Sequence, residues 1–274
     1  MISNRIRSLY ILVFIVFISG CGIIGQYKIV RPTEEIKIAH PLKGFNVGER
    51  FTYKAEWLGM DVAEATLSVE GIENMNGRKA YRIVGTAATT PILSKLYKVE
   101  DKITTYVDVE YLYPLKYEKI QREGGYRSDE YIDFDHKKGK ASYFSRLNKG
   151  RKEYNIPSGV LDPLSSLYYF RLQEAKVGTS VFANVNADEK NYLLDARVIK
   201  KGVLTIKNVG EWDAFMVEPL PWFGGKVERK AKATIWFSTD DRRIPLLMHI
   251  KSIPLVGTVV ISLKKIEQLD TKSN

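Results

Sequence analysis

The chain has 274 residues, 45% of them hydrophobic and 27% charged, with a formal net charge of +10 and one cysteine. This is a globular composition with enough apolar material for a core. A single cysteine excludes an internal disulfide and any cysteine-cluster metal site. Sixteen Tyr and eleven Phe favour strands over helices, and the basic excess suits polyanions or an anionic membrane surface.

Residues 1–20 read as a targeting segment outside the fold. Arg5 and Arg7 give it a positive start, and the apolar run Leu9–Ile18 is too short to span a bilayer. The order Ile18-Ser19-Gly20-Cys21 resembles a bacterial lipobox, in which cleavage before the cysteine leaves its thiol to take a diacylglycerol. Acyl chains on Cys21 would anchor the protein stably. Gly22 in place of Asp points to the outer membrane under the enteric sorting rule. Export also argues against nucleic acid as a partner. Residues 21–44 carry Pro32 and Pro41 without a sustained period, so they read as a tether ahead of one β-rich domain over 45–268 and a polar tail over 269–274.

Phe51, Tyr53, Ala55 and Trp57 alternate with polar residues, which predicts a half-buried strand. A turn at 58–61 and a second alternating run over 63–69 complete a hairpin, and Asn74–Gly77 turns into a third strand over 79–86. The apolar segment 91–97 reads as a helical turn or a loop. Further strands are predicted over 99–109, 115–122, 126–134 and 140–144. After the helix below they resume over 180–186, 192–200, 203–206, 214–219, 227–238, 244–252 and 258–266. That is thirteen to fifteen strands with almost no βαβ spacing. The expected fold is mainly β: a large curved antiparallel sheet, or partly closed β-barrel, enclosing one amphipathic helix. A β-sandwich is the runner-up.

The helix is predicted over 163–172. Asp162 can cap its first turn and Pro163 suits its first position. Leu164, Leu167, Tyr168 and Leu172 then fall on one face. A lone amphipathic helix between blocks of strands must bury that stripe against them. These four residues, with Tyr53 and Trp57, are the expected lining of an apolar ligand cavity.

Little else suggests chemistry. His40, His136 and His249 show no metal-ligand spacing, and Asp133, Asp135 and His136 lead into a hairpin turn. No nucleophile elbow or phosphate loop is present, and Asp240-Asp241 beside Arg242-Arg243 reads as surface ion pairing. The expectation is a non-enzyme without cofactor or metal. Three apolar turns, at 91–97, 219–225 and 253–257, read as plugs or as a membrane-facing rim. In the second of these, Trp222 and Phe223 stand beside Lys226 and Arg229, which makes the four a candidate mouth.

Six stretches resemble the bacterial family called domain of unknown function 3108. They are Gly48–Gly59, Leu96–Asp101, Tyr117–Gly124, Asp133–His136, Asp162–Tyr169 and Ile235–Pro245, which fall in order over about residues 48–266. The resemblance implies an exported, mainly β envelope protein and carries no catalytic residues with it. The overall pattern also looks like that of the periplasmic lipoprotein carriers, whose curved sheet cups a helix. The resulting expectation is a lipid-anchored envelope protein, at the periplasmic face of the outer membrane, that binds or shuttles an amphiphile. The alternative is a scaffold docking on an outer-membrane or cell-wall assembly. The expected partners are the bilayer, a lipid-like ligand and an outer-membrane protein.

Overall fold

A computed structural model describes residues 45–228, 231–252 and 257–270. The targeting segment, Cys21, the tether and Arg229 lie outside these residues, as does most of the 253–257 turn. The first half of the chain forms β1 (Glu49–Trp57), β2 (Met60–Met75), β3 (Arg78–Thr89), β4 (Glu100–Asp108), β5 (Pro114–Glu123), β6 (Tyr126–Asp135), β7 (Lys140–Ser145) and β8 (Arg151–Asn155). Helix α1 (Pro163–Arg171) follows. Then come β9 (Ser180–Ala187), β10 (Lys190–Ile206), β11 (Gly210–Phe223), β12 (Lys226–Val227), β13 (Ala231–Ser238), β14 (Pro245–Ser252) and β15 (Thr258–Gln268).

All fifteen strands belong to one antiparallel sheet, ordered β8-β7-β6-β5-β4-β3-β2-β1-β15-β14-β13-β11-β10-β9, with β12 paired to β11. The first and last strands therefore meet in the middle of the sheet, Glu49 opposite Gln268 and Trp57 opposite Val259. Register shifts at Ala55/Glu56, Val69/Gly71, Tyr106/Val107 and Val198/Lys200 bend the ladder, as bulges do. The two wings curl until their outer strands, β8 and β9, lie side by side.

No backbone ladder joins those edges. Tyr154 Oη donates to Asn186 Oδ1 at 2.9 Å, and Asn191 Nδ2 to the Asn155 carbonyl at 2.8 Å. Lys152 pairs with Glu189 across the same seam. The linker after β8 adds a short parallel bridge: Leu161 N donates to Asn184 O and Asn186 N to Leu161 O. The barrel-like shape is thus closed by side chains and a linker. A short, charged β8 also blunts an edge that would otherwise template other strands.

Helix α1 lies inside the curl, at the end where β1 begins, and packs on β3, β4 and β9. Its cap is the expected one. Asp162 accepts from Leu164 N and Ser165 N, while Ser165 Oγ accepts from Asp162 N. The second Asp162 oxygen accepts from Thr105 Oγ1 at 2.5 Å, which pins the helix start to β4. The expected single buried stripe is corrected: all nine helical residues are buried, Arg171 included. The fold begins where Gly48, at φ +89°, turns against β15, and a Cβ there would meet Leu269 O at 2.8 Å. That left-handed geometry, in so little space, requires glycine.

Candidate functional site

The interior has two characters. Around α1 it is apolar: Phe51, Tyr53, Leu67, Ile83, Leu164, Leu167 and Tyr168 belong to one buried cluster. Phe45 stands edge-on to both Tyr81 and Tyr168, with ring centroids 5.1 and 5.3 Å away. Within this cluster lies an ion pair that sequence pattern did not signal. Arg171 Nη1 and Nη2 bind Glu49 Oε1 and Oε2 at 2.5 and 2.9 Å, and both side chains are buried. Nε and Nη2 also donate to the Arg242 carbonyl at 3.2 and 3.0 Å. The guanidinium stacks on Phe51 and Tyr168, so the helix end is fixed to β1 and to the β13–β14 turn at once.

Two phenols stand beside this pair. Tyr53 Oη and Tyr168 Oη are buried and take no well-formed hydrogen bond among the described residues, although Tyr168 lies next to the Arg171 guanidinium. Burial, and then the neighbouring phenol, pushes the Tyr53 hydroxyl well above its ordinary range. Burial, followed by the Glu49 charge, does the same at Tyr168. Both therefore stay protonated and remain donors. Buried hydroxyls without partners are uncommon, because each forfeits hydration without replacement.

Toward the other end the interior turns polar. β5 directs Tyr117, Lys119, Gln121 and Glu123 inward in alternation, all buried. Lys119 Nζ lies 2.7 Å from Glu130 Oε1 and 3.6 Å from Asp188 Oδ1. Ser128 Oγ and Tyr143 Oη donate to Glu130 Oε2 at 2.9 and 3.0 Å. Higher still, Gln121 Nε2 donates to Glu123 Oε1 at 3.0 Å, and the Asp101 carboxyl neighbours that of Glu123. Burial first, and the Asp101 charge second, pushes Glu123 up to about 8. The pair therefore holds a proton between them near neutral pH.

A pH dependence follows. Folded Glu123 keeps its proton to about pH 8, whereas an unfolded glutamate loses it near pH 4.3. Unfolding then releases a proton, so stability should fall as pH rises through that window, by up to about 1.4 kcal/mol per pH unit. Glu123→Gln should flatten this slope in urea melts between pH 5 and pH 8. An unchanged slope in the variant would mean that Glu123 ionises normally.

Of the six expected cavity residues, four are buried in one cluster, and Leu172 and Trp57 pack against it partly buried. Tyr53, Leu164, Leu167 and Tyr168 are brought together. Leu172 caps the end of α1, half-buried, and Trp57 ends β1 at the opposite end from Glu49. The candidate mouth also differs from the expected loop. Trp222 and Phe223 lie on β11, and Gly224-Gly225 alone make the turn. Trp222 is half-buried opposite Leu193 and Val227, while Phe223 is exposed opposite Lys226 and packs on Tyr192, centroids 5.3 Å apart. His136 opens the predicted turn but is partly buried: it stacks on Tyr113 at 3.7 Å and meets Pro114 O at 2.7 Å. Among the described residues no group of three or more His, Cys, Asp or Glu is placed to hold a metal ion.

A structure from Brucella abortus, described as a beta-barrel-like protein of domain of unknown function DUF1849, matches this fold with a TM-score of 0.54 at 8% identity. It covers 82% of this chain and 99% of its own. A candidate lipoprotein from Parabacteroides distasonis aligns with a TM-score of 0.37 at 10% identity, covering 83% of this chain and 99% of its own. A candidate exported protein with a YmcC-like fold, from Bacteroides fragilis, aligns with a TM-score of 0.31 at 8% identity, covering 84% and 100%. No curated protein matches the sequence. The family model described as "Protein of unknown function (DUF3108)" matches residues 52–264, which cover most of the described fold, and the chain belongs to that family.

Proposed function

We propose that the protein is a lipid-anchored component of the bacterial cell envelope, at the periplasmic face of the outer membrane. Its curled sheet binds an amphiphilic, lipid-like molecule. The observation that carries this reading is the pair of buried phenol donors, Tyr53 on β1 and Tyr168 on α1, in the apolar interior around the helix. An apolar tail satisfies this interior, and an oxygen of the ligand accepts from the phenols. The inward polar groups Lys119, Gln121 and Glu123 stand toward the end away from α1. The work required of the protein is binding and release, which needs no catalytic constellation.

Two measurements test the reading. Cys21→Ser should abolish labelling by a palmitate analogue and release the protein from membrane fractions, whereas continued labelling would remove the lipoprotein part. The double variant Tyr53→Phe/Tyr168→Phe should bind a fluorescent fatty-acid analogue at least tenfold more weakly while melting no lower than wild type. Equal binding by both proteins, or none by either, would favour a packed scaffold.

A further inference from the structure

The strand connections divide between the two ends of the barrel, and those at one end gather exposed apolar side chains from turns far apart in sequence. At the end where β1 finishes lie the β1–β2 turn, the 90–99 segment, and the β5–β6, β7–β8, β9–β10 and β11–β12 turns. Four of these connections display exposed apolar side chains: Leu58, Met60, Ile92, Leu96, Leu147 and Phe223. Ile92 and Leu96, flanking the 3-10 turn at Leu93–Lys95, are 83% and 86% exposed. Leu93, between them, packs inward and holds the segment in place. Gly257 brings the end of the 253–257 turn against Trp57 and Leu58 on the same rim. Single exposed apolar residues are ordinary, but a ring assembled from turns far apart in sequence is not.

The same connections are basic. Lys95, Lys98, Arg127, Lys149, Lys190 and Lys226 stand among the apolar tips, against Asp61, Glu100, Asp188, Glu189 and Glu228, with Glu100 3.0 Å from Lys98. Lys190 lies 5.5 Å above the Phe223 ring. Apolar tips between flexible cations match a bilayer interface, where the tips enter the acyl boundary and the ammonium groups meet anionic headgroups. The chain's own geometry adds direction. Phe45, the first described residue, packs near α1 at the far end, and 44 residues precede it.

We infer that this rim docks on an anionic phospholipid bilayer, with the barrel end-on to the membrane and the N-terminal segment leaving from the opposite end. A tether over 21–44 spans at most about 80 Å when extended. That is enough to present the rim to a facing membrane or to fold back along the barrel to the anchoring one. The inference is independent of an interior ligand, since a sealed core would dock the same way.

The test uses the full chain with Cys21→Ser and one new cysteine for an environment-sensitive fluorophore, at Leu96 on the rim or Val177 at the far end. Vesicles of phosphatidylethanolamine and phosphatidylglycerol, some carrying nitroxide lipids, are the probe. Emission from position 96 should shift to the blue and be quenched by the nitroxides, while position 177 stays unchanged. The triple variant Leu58→Ser/Ile92→Ser/Leu96→Ser should bind these vesicles at least tenfold more weakly, and salt should weaken wild type. Equal response at both positions, or equal binding by the triple variant, would assign vesicle association to the N-terminal segment and overturn the inference. A blue shift at position 96 without vesicles, growing with protein concentration, would overturn it in favour of self-association.

Discussion

Replacing Arg171 by leucine is expected to destabilise the protein by about 3–5 kcal/mol, the usual cost of leaving one buried charge uncompensated. The buried Glu49 carboxylate would lose both its guanidinium hydrogen bonds. The Arg242 carbonyl would lose its donors as well, which loosens the β13–β14 turn. Glu49→Leu should cost a similar amount from the other side. The double variant should recover part of the loss, because removing both charges eliminates their desolvation. It should not recover all of it, since the Arg242 carbonyl stays unpaired. Urea unfolding of the two single variants and the double variant measures this coupling. Independent, additive losses would show that the pair does not hold the helix to β1.

Leu167→Asp is the second large effect. Leu167 sits inside the curl in the same buried apolar cluster as Leu164 and Tyr168. Truncating such a leucine to alanine costs about 2–5 kcal/mol, and a buried carboxylate adds its desolvation to that. The sum approaches the whole stability of a typical domain, about 5–15 kcal/mol. The expected product is a chain with lost near-ultraviolet dichroism and an early urea midpoint. A midpoint equal to wild type would place α1 outside the core. Leu167→Ala, measured alongside, separates lost packing from the added charge.

Much of this architecture is legible in sequence because its signals are local. Alternation at Phe51, Tyr53 and Ala55 marks a strand with one buried face, and Asp162-Pro163 marks a helix start. Features that depend on distant partners were not legible. β8 reads Arg-Lys-Glu-Tyr-Asn, without an apolar face, because it is an edge strand paired on one side by backbone and on the other by side chains. β10 runs unbroken through Gly202, and β11 runs through Pro219 and Pro221. The prolines are tolerated because β13 pairs with β11 only over Ala214–Val217, so beyond that the missing N–H groups lie off that ladder.

The candidate site divides in the same way. Helical spacing grouped Leu164, Leu167 and Tyr168, and strand alternation supplied Tyr53. Nothing local paired Glu49 with Arg171, which are 122 residues apart. Nor did period-2 alternation distinguish an inward face of Lys119, Gln121 and Glu123 from a solvated one. Only the curl of the sheet buries them, by carrying Glu130 and Asp188 to Lys119.

The interior binding of an amphiphile is tested most directly by native mass spectrometry of the full-length Cys21→Ser protein, purified without added lipid. The account expects a non-covalent adduct, released on collisional activation, whose fragments include an acyl chain. The adduct should be depleted in Tyr53→Phe/Tyr168→Phe. A single apo mass, unchanged after incubation with envelope lipid extract, would contradict it.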